Sequence, residues 1–301
     1  MHKRWSGSLA RRARRQGQSW SIPSISSLRG DDDVNSILIN NCAACSLCGR
    51  RCTVTYDKSF FDLQLRFAAR AAQLAGVPFE QALLDRTNLY VRLVGDRRFD
   101  AGHPLWITYL EGLRRSADAS DWTWRFYLQR PDRGQPPEVV ATFGCFCYAL
   151  TDEAHRVKLH FQHAQRDGDS PLSAACAPQR IRELHMLVED VAARLGADAR
   201  IAGLSWLYNL PAYRRLFPTA YVENAQAVEG KFRNMPLWGQ FIDFRGRLKP
   251  QRVEAFEQRL AALDDVAQLG SCFPLQPLAV EAPLDVFAQF YRQRDSDRSD
   301  R

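Results

Sequence analysis

The sequence predicts an α+β protein: a helical first layer, then a mostly antiparallel sheet flanked by helices. Three observations carry this. Apolar residues recur at three- and four-residue steps between 57 and 118. Trp122–Gln129 alternates apolar and polar residues, and Val139–Leu150 is almost continuously apolar and aromatic; both patterns suit strands. From Val157 onward, short apolar runs alternate with capped amphipathic segments.

In chain order, Phe60, Leu63, Phe67, Ala71 and Leu74 predict a helix over 57–76, closed by Gly76. Pro78 opens a second helix reaching Arg92, and Pro104 a third carrying Trp106, Tyr109 and Leu113. Trp122–Gln129, Val139–Leu150 and Val157–Ala164 are then expected to form a three-stranded meander. A long helix is predicted over Gln179–Leu195, followed by a strand at Arg200–Leu204 and a short helix over Asn209–Phe217. Next come a strand near Tyr221–Val228, a helix over 251–263, a strand at Pro274–Val280 and a helix over Asp285–Tyr291. The domain boundaries expected are a basic extension over 1–53, a helical layer over 54–118, a sheet domain over 119–292 and a charged, structureless tail over 293–301.

The composition is that of an ordinary globular protein, at 301 residues, 46% hydrophobic and 25% charged. No apolar run reaches the roughly 18 residues a membrane-spanning helix needs. The net charge of +7 is local. Residues 1–29 hold seven basic groups and no acid, and the rest of the chain carries 34 of each sign. A dedicated nucleic-acid domain is therefore not expected. Arginine outnumbers lysine 36 to 5, a bias that fits a GC-rich bacterial genome.

The extension is rich in Arg and Ser and resembles a transit peptide in composition, but it has no signal-peptide core. It reads as a solvated tail, or as a segment left untranslated if Val54 is the native start. Within it, Cys42, Cys45, Cys48 and Cys52 follow a C-x2-C-x2-C-x3-C spacing. Thiolates so spaced can hold an iron-sulfur cluster or zinc. With no export signal, a reducing cytoplasm is the expected location.

Two segments suggest chemistry. The loop after the third expected strand reads Gln165-Arg166-Asp167-Gly168-Asp169-Ser170, and the next strand–helix unit runs Trp206-Leu207-Tyr208-Asn209-Leu210-Pro211-Ala212-Tyr213-Arg214-Arg215. With the order of elements, these resemble the GNAT acetyltransferase superfamily over about residues 122–228. The family loop has Gln or Arg, then Gly three residues on, then Gly or Ala; here Ser170 takes the last place. Asn209 and Ala212 keep the family's three-residue step. Leu216 stands where the family has the tyrosine that protonates the departing thiolate.

The resemblance implies an acyl-CoA-dependent N-acyltransferase. Acetyl-CoA or another acyl-CoA would be held by Gln165, Arg166, Gly168, Ser170, Asn209 and Arg214. Tyr213 or Tyr208 would be the acid, and His160 or a water would take the proton from a small-molecule or protein amine. On its own residues, Asn209 can cap the short helix, with amides free to face an anion.

His160 shares an expected strand face with Lys158 and Gln162, and His163 lies on the opposite, core-facing side. His185 has no evident partner. Cys145 and Cys147 are expected on one face of a single buried strand, as small hydrophobes. Asn234–Phe241 is expected to be a loop pinned by Trp238. The other function classes open to this sequence are a non-catalytic binding or scaffold protein and an iron-sulfur or zinc protein.

Overall fold

The computed structural model describes residues 56–129, 139–162 and 170–299, with side chains as far as 294. Five helices come first: α1 (Lys58–Ala75), α2 (Phe79–Arg86), α3 (Leu89–Val94), α4 (Pro104–Arg115) and α5 (Ala119–Gln129). α1 is the pillar of this layer. It buries Phe60, Phe61, Leu63, Phe67 and Ala71 on one stripe, and Gly76 closes it in the left-handed conformation. The single helix expected over 78–92 is two, because Thr87 is extended. Its hydroxyl donates to Leu83 O and accepts from Leu89 N–H, stapling the break.

The strand expected at Trp122–Gln129 is helix α5. The apparent alternation arises because the helix is wedged between two neighbours and carries aromatics on two sides. Thr123 and Tyr127, four apart, face inward. Tyr127 and Trp124 pack on Phe61 of α1. Trp122 and Phe126 turn to α4, where the Trp122 indole donates to Tyr109 O at 2.9 Å.

A six-stranded sheet follows, in the order β1-β2-β3-β4-β6-β5. Its strands are β1 (Val139–Phe143), β2 (Phe146–Leu150), β3 (Arg156–Phe161), β4 (Arg200–Ser205), β5 (Gln226–Ala227) and β6 (Leu278–Pro283). A three-stranded meander exists, but of other strands than expected: Trp122–Gln129 is helical, and the run Val139–Leu150 is a hairpin, β1 and β2, which β3 joins. Gly144 and Cys145 form its turn between paired Phe143 and Phe146. Gly144 has φ +56, and a Cβ there would strike the Glu183 carboxylate. Cys145 therefore lies in the turn and Cys147 on β2, both buried.

Helix α6 (Ala177–Leu195) carries the chain from β3 to β4, which are parallel neighbours; every other neighbouring pair is antiparallel. After β4 come a 3-10 turn (Trp206–Asn209), α7 (Pro211–Arg214) and α8 (Thr219–Glu223). The strand expected near Tyr221–Val228 shrinks to Gln226–Ala227, because Pro218 starts a helix that turns Tyr221 into the core. α9 (Met235–Trp238) and α10 (Pro250–Ala262) precede β6, and α11 (Leu284–Ser299) ends the described chain. The helix runs through most of the segment expected to be structureless, extending outward from buried Tyr291.

The two halves share one core. Phe67 of α1 meets the rings of Phe232, Trp238, Phe256 and Phe273 at 5.4–5.8 Å. Among the described residues, no helix is long and apolar enough to cross a membrane.

Gly112 of α4 lies flat against the Trp122 indole, leaving no room for a methyl group. Gly112→Ala should destabilise the protein by about 1–3 kcal/mol through overpacking, read as a lowered urea midpoint. A midpoint equal to wild type would mean that α5 does not pack on α4 in this way.

Candidate functional site at the carboxyl ends of β3 and β4

The β3–β4 ladder begins at Arg156↔Arg200 and ends at Leu159↔Gly203. Yet β3 continues to Phe161 and β4 to Ser205. The two strands thus part over their last two residues. An opening between parallel strands exposes backbone donors and acceptors to whatever enters, and carboxyl ends of parallel strands are a usual location for ligands.

The residues just past both strand ends carry unspent donors. Gln162 and Trp206 follow β3 and β4, each three residues beyond the last paired position. Both are buried, and among the described residues both Gln162 Nε2 and Trp206 Nε1 lack a hydrogen-bond partner. A buried donor without an acceptor costs roughly 1–3 kcal/mol, so each of the two calls for a partner.

Beneath the opening lies a group of tyrosine hydroxyls. Gly203, the last residue of β4 paired with β3, has no room for a side chain: a Cβ would lie 2.1 Å from Tyr208 Oη and 2.6 Å from Tyr221 Oη. Those two hydroxyls are 2.8 Å apart, and the Tyr213 ring packs edge-on against Tyr208 at 5.1 Å. Burial holds all three phenols well above their ordinary pKa, so each keeps its proton. The rings form an edge-to-face stack that includes Phe217, and Phe146 and Phe161 of the sheet cover Tyr213.

On the far side of the turn, Arg180 and Glu183 of α6 form a buried ion pair at 2.7 Å. Glu183 Oε2 accepts the Cys145 N–H at 3.0 Å, and Arg180 donates to Cys145 Sγ. Burial raises the Glu183 pKa, against the pull of Arg180. Cys145 O in turn accepts the Gln162 N–H at 2.8 Å. The start of α6, the hairpin turn and the end of β3 are therefore tied together.

His160 lies on the opposite sheet face, with Lys158. Burial, then Lys158 and Arg97, push its pKa down to about 3. A base that weak stays neutral at pH 7 and is a poor acceptor for a proton from an amine. Asn209 is not a helix cap either: its Nδ2 donates to Trp206 O at 2.8 Å and to Gln276 O at 2.9 Å, lashing the turn to the segment before β6. Arg214 is half-buried at the end of α7, while Arg215 donates to Leu172 O at 2.8 Å. Ser170 is buried, and its hydroxyl accepts from Leu172 N–H.

Gln165, Arg166, Gly168 and His163 lie outside the described residues, as do Cys42, Cys45, Cys48 and Cys52. Among the described residues, no group of three or more His, Cys, Asp or Glu side chains is arranged to hold a metal. His185 stacks on Tyr291, and Trp238 pins its segment by donating to Phe232 O. A shallow apolar hollow between α1 and α2 carries no titratable side chain among Ala69, Ala72, Gln73, Gly76, Val77 and Phe79.

Sequence reasoning found Tyr208 and Tyr213 but missed Gly203, Tyr221, Gln162 and Trp206. A lone glycine inside a strand is a known sign of close approach. The unspent donors left no sequence signal. No family model, no curated protein and no solved structure matches this chain.

Because His160 is neutral when folded and takes a proton at about 6.5 when unfolded, the unfolded state binds more protons between about pH 3 and 6.5. The protein should lose stability as pH falls through that window. His160→Gln should flatten that part of the stability–pH curve by about one proton. An unchanged slope would place the imidazole in water.

Proposed function

We propose that the protein is an acyl-CoA-dependent N-acyltransferase whose donor enters the opening between β3 and β4. One observation carries this: the parallel ladder stops at Leu159↔Gly203, with two buried donors past the strand ends that have no partner among the described residues. The order of the described elements supports it, with three antiparallel strands, the crossover helix α6, then the parallel strand β4 and its short helices.

The donor supplies an acyl group on a thioester, which a primary amine can attack. Gln162 Nε2 and Trp206 Nε1 suit its amide and carbonyl oxygens, since each is a donor in want of an acceptor. The phosphates fall to the segment between β3 and α6, through Gln165, Arg166, Gly168 and Ser170, and to Arg214. Asn209 acts at one remove, by fixing the turn that carries Trp206 and Tyr208.

Tyr208 is the acid of choice over Tyr213. Its hydroxyl lies against Gly203, where the ladder opens, and its raised pKa keeps the proton available for a departing thiolate. Tyr213 supports its ring edge-on from within the core. His160, held neutral, accepts a hydrogen bond from the incoming amine, and water takes the proton. Acyl-CoA use fits a cytoplasmic enzyme.

Thermal unfolding of the full chain with acetyl-CoA tests this. At about a hundred times the dissociation constant, the ligand should add roughly 2.7 kcal/mol to the folded state, visible as a raised midpoint. Tyr208→Phe should keep that shift and slow thiol release from acetyl-CoA at least about tenfold. An unmoved midpoint would remove the acyltransferase reading.

A further inference from the structure

Cys145, Arg180 and Glu183 form a buried cluster in which one cation faces two acids. The three residues are 0%, 1% and 4% exposed. The sequence brings them together in two steps. Arg180 and Glu183, three apart in the first two turns of α6, share a helix face. Gly144, at φ +56, bends the β1–β2 turn so closely over that face that a Cβ there would strike the Glu183 carboxylate, and Cys145 is the next residue.

Arg180 divides its guanidinium between the two acids. Nη1 donates to Cys145 Sγ, Nη2 donates to Glu183 Oε1 at 2.7 Å, and Nε has no partner among the described residues. Glu183 accepts from Gln179 Nε2 at 3.1 Å on the same oxygen and from the Cys145 N–H at 3.0 Å on the other.

A guanidinium on sulfur favours the thiolate, the reactive form of cysteine. The cluster holds one positive charge and balances one negative charge, so one proton rests on either sulfur or Glu183. Burial raises the Glu183 pKa, which favours the carboxylic acid beside a thiolate. Cys272 is just as buried and shows the ordinary fate of such a thiol, with burial pushing its pKa up to about 11. Cys145 differs by the guanidinium that donates to its sulfur.

Full burial also limits what can react. Local fluctuations admit a water-sized molecule far more readily than a bulky one. Hydrogen peroxide is of that size, and its oxygens can accept the hydrogen bond that Arg180 Nε leaves unspent.

We propose that Cys145 is a peroxide-reactive thiol, with Arg180 holding its thiolate and Glu183 its proton. The thiolate sulfur attacks one oxygen of hydrogen peroxide. An S–O bond forms and the O–O bond breaks. The sulfur is oxidised by two electrons to the sulfenic acid, and the peroxide is reduced. The departing hydroxide takes the proton from Glu183 and leaves as water, and Glu183 becomes the carboxylate that pairs with Arg180. Cys145 O accepts the Gln162 N–H at 2.8 Å, so the modified residue lies one hydrogen bond from the end of β3. The proposal stands apart from the acyltransferase reading.

Peptide-resolved mass spectrometry on the full chain tests it. The native protein is exposed to hydrogen peroxide at pH 7, and catalase then removes the oxidant. The chain is next unfolded in urea with excess dimedone, which traps sulfenic acid. Cys145 should be oxidised at least about tenfold faster than Cys272, since an ordinary thiol is only a few per cent thiolate at pH 7. The advantage should vanish when peroxide meets a chain already unfolded in urea. Replacing the pair together, Arg180→Met with Glu183→Gln, strands neither charge. That variant should oxidise Cys145 about tenfold more slowly or worse, while Cys272 keeps its own rate.

Native Cys145 oxidised no faster than Cys272 would overturn the proposal, and that comparison needs no variant to fold. Equal rates in the native and unfolded chain, or a folded double variant as fast as wild type, would do the same. Iodoacetamide should alkylate half-buried Cys176 before Cys145 in the native protein. The reverse order would show a thiol open to bulky reagents and overturn its assignment to peroxide.

Discussion

The last rung between β3 and β4 governs the candidate site. At Gly203 the strand backbone comes so close to the hydroxyls of Tyr208 and Tyr221 that no side chain fits. That contact sets how deeply the turn after β4 sits under the sheet, and with it the position of Trp206. β3 makes its last ladder contact with β4 opposite this glycine, and beyond it the two strands go separate ways. A larger residue would push the tyrosines down or lift the strand, and either change would alter the opening.

The other lip of the opening is held by charge rather than by packing. Arg180 and Glu183 are both buried, and Glu183 reaches across to the amide of Cys145. A buried pair of this kind adds little net stability over an apolar one, but removing one partner costs about 3–5 kcal/mol because the other is stranded. It also specifies geometry. The hairpin turn, the first turns of α6 and, through Cys145 O, the amide of Gln162 are referenced to one another. One lip is set by steric exclusion at a glycine and the other by a buried ion pair, so both are rigid where the ladder ends.

Much of the scaffold was legible because each signal was local. The 3.6-residue stripes of α1, α4 and α10, the Gly196 stop of α6 and the apolar run of β4 depend on neighbours within a turn or two. α5 was not legible, since a helix packed on both sides carries aromatics in a pattern that mimics a strand. The β1–β2 hairpin hid behind one glycine in an otherwise apolar run. For the site, Tyr208 and Tyr213 could be singled out from their segment. Tyr221 was misplaced once its helix was taken for a strand. Gln162 and Trp206 owe their interest to what surrounds them across the chain, where among the described residues neither donor meets an acceptor.

Hydrogen exchange of the full chain, with and without acetyl-CoA, addresses the central claim most directly. Ligand in the opening should slow exchange in peptides spanning residues 160–162 and 204–206, where backbone amides leave the β3–β4 ladder. The hollow between α1 and α2 should be unaffected. Slowed exchange confined to that hollow, or no change at either strand end, would contradict the assignment of the opening as the ligand site.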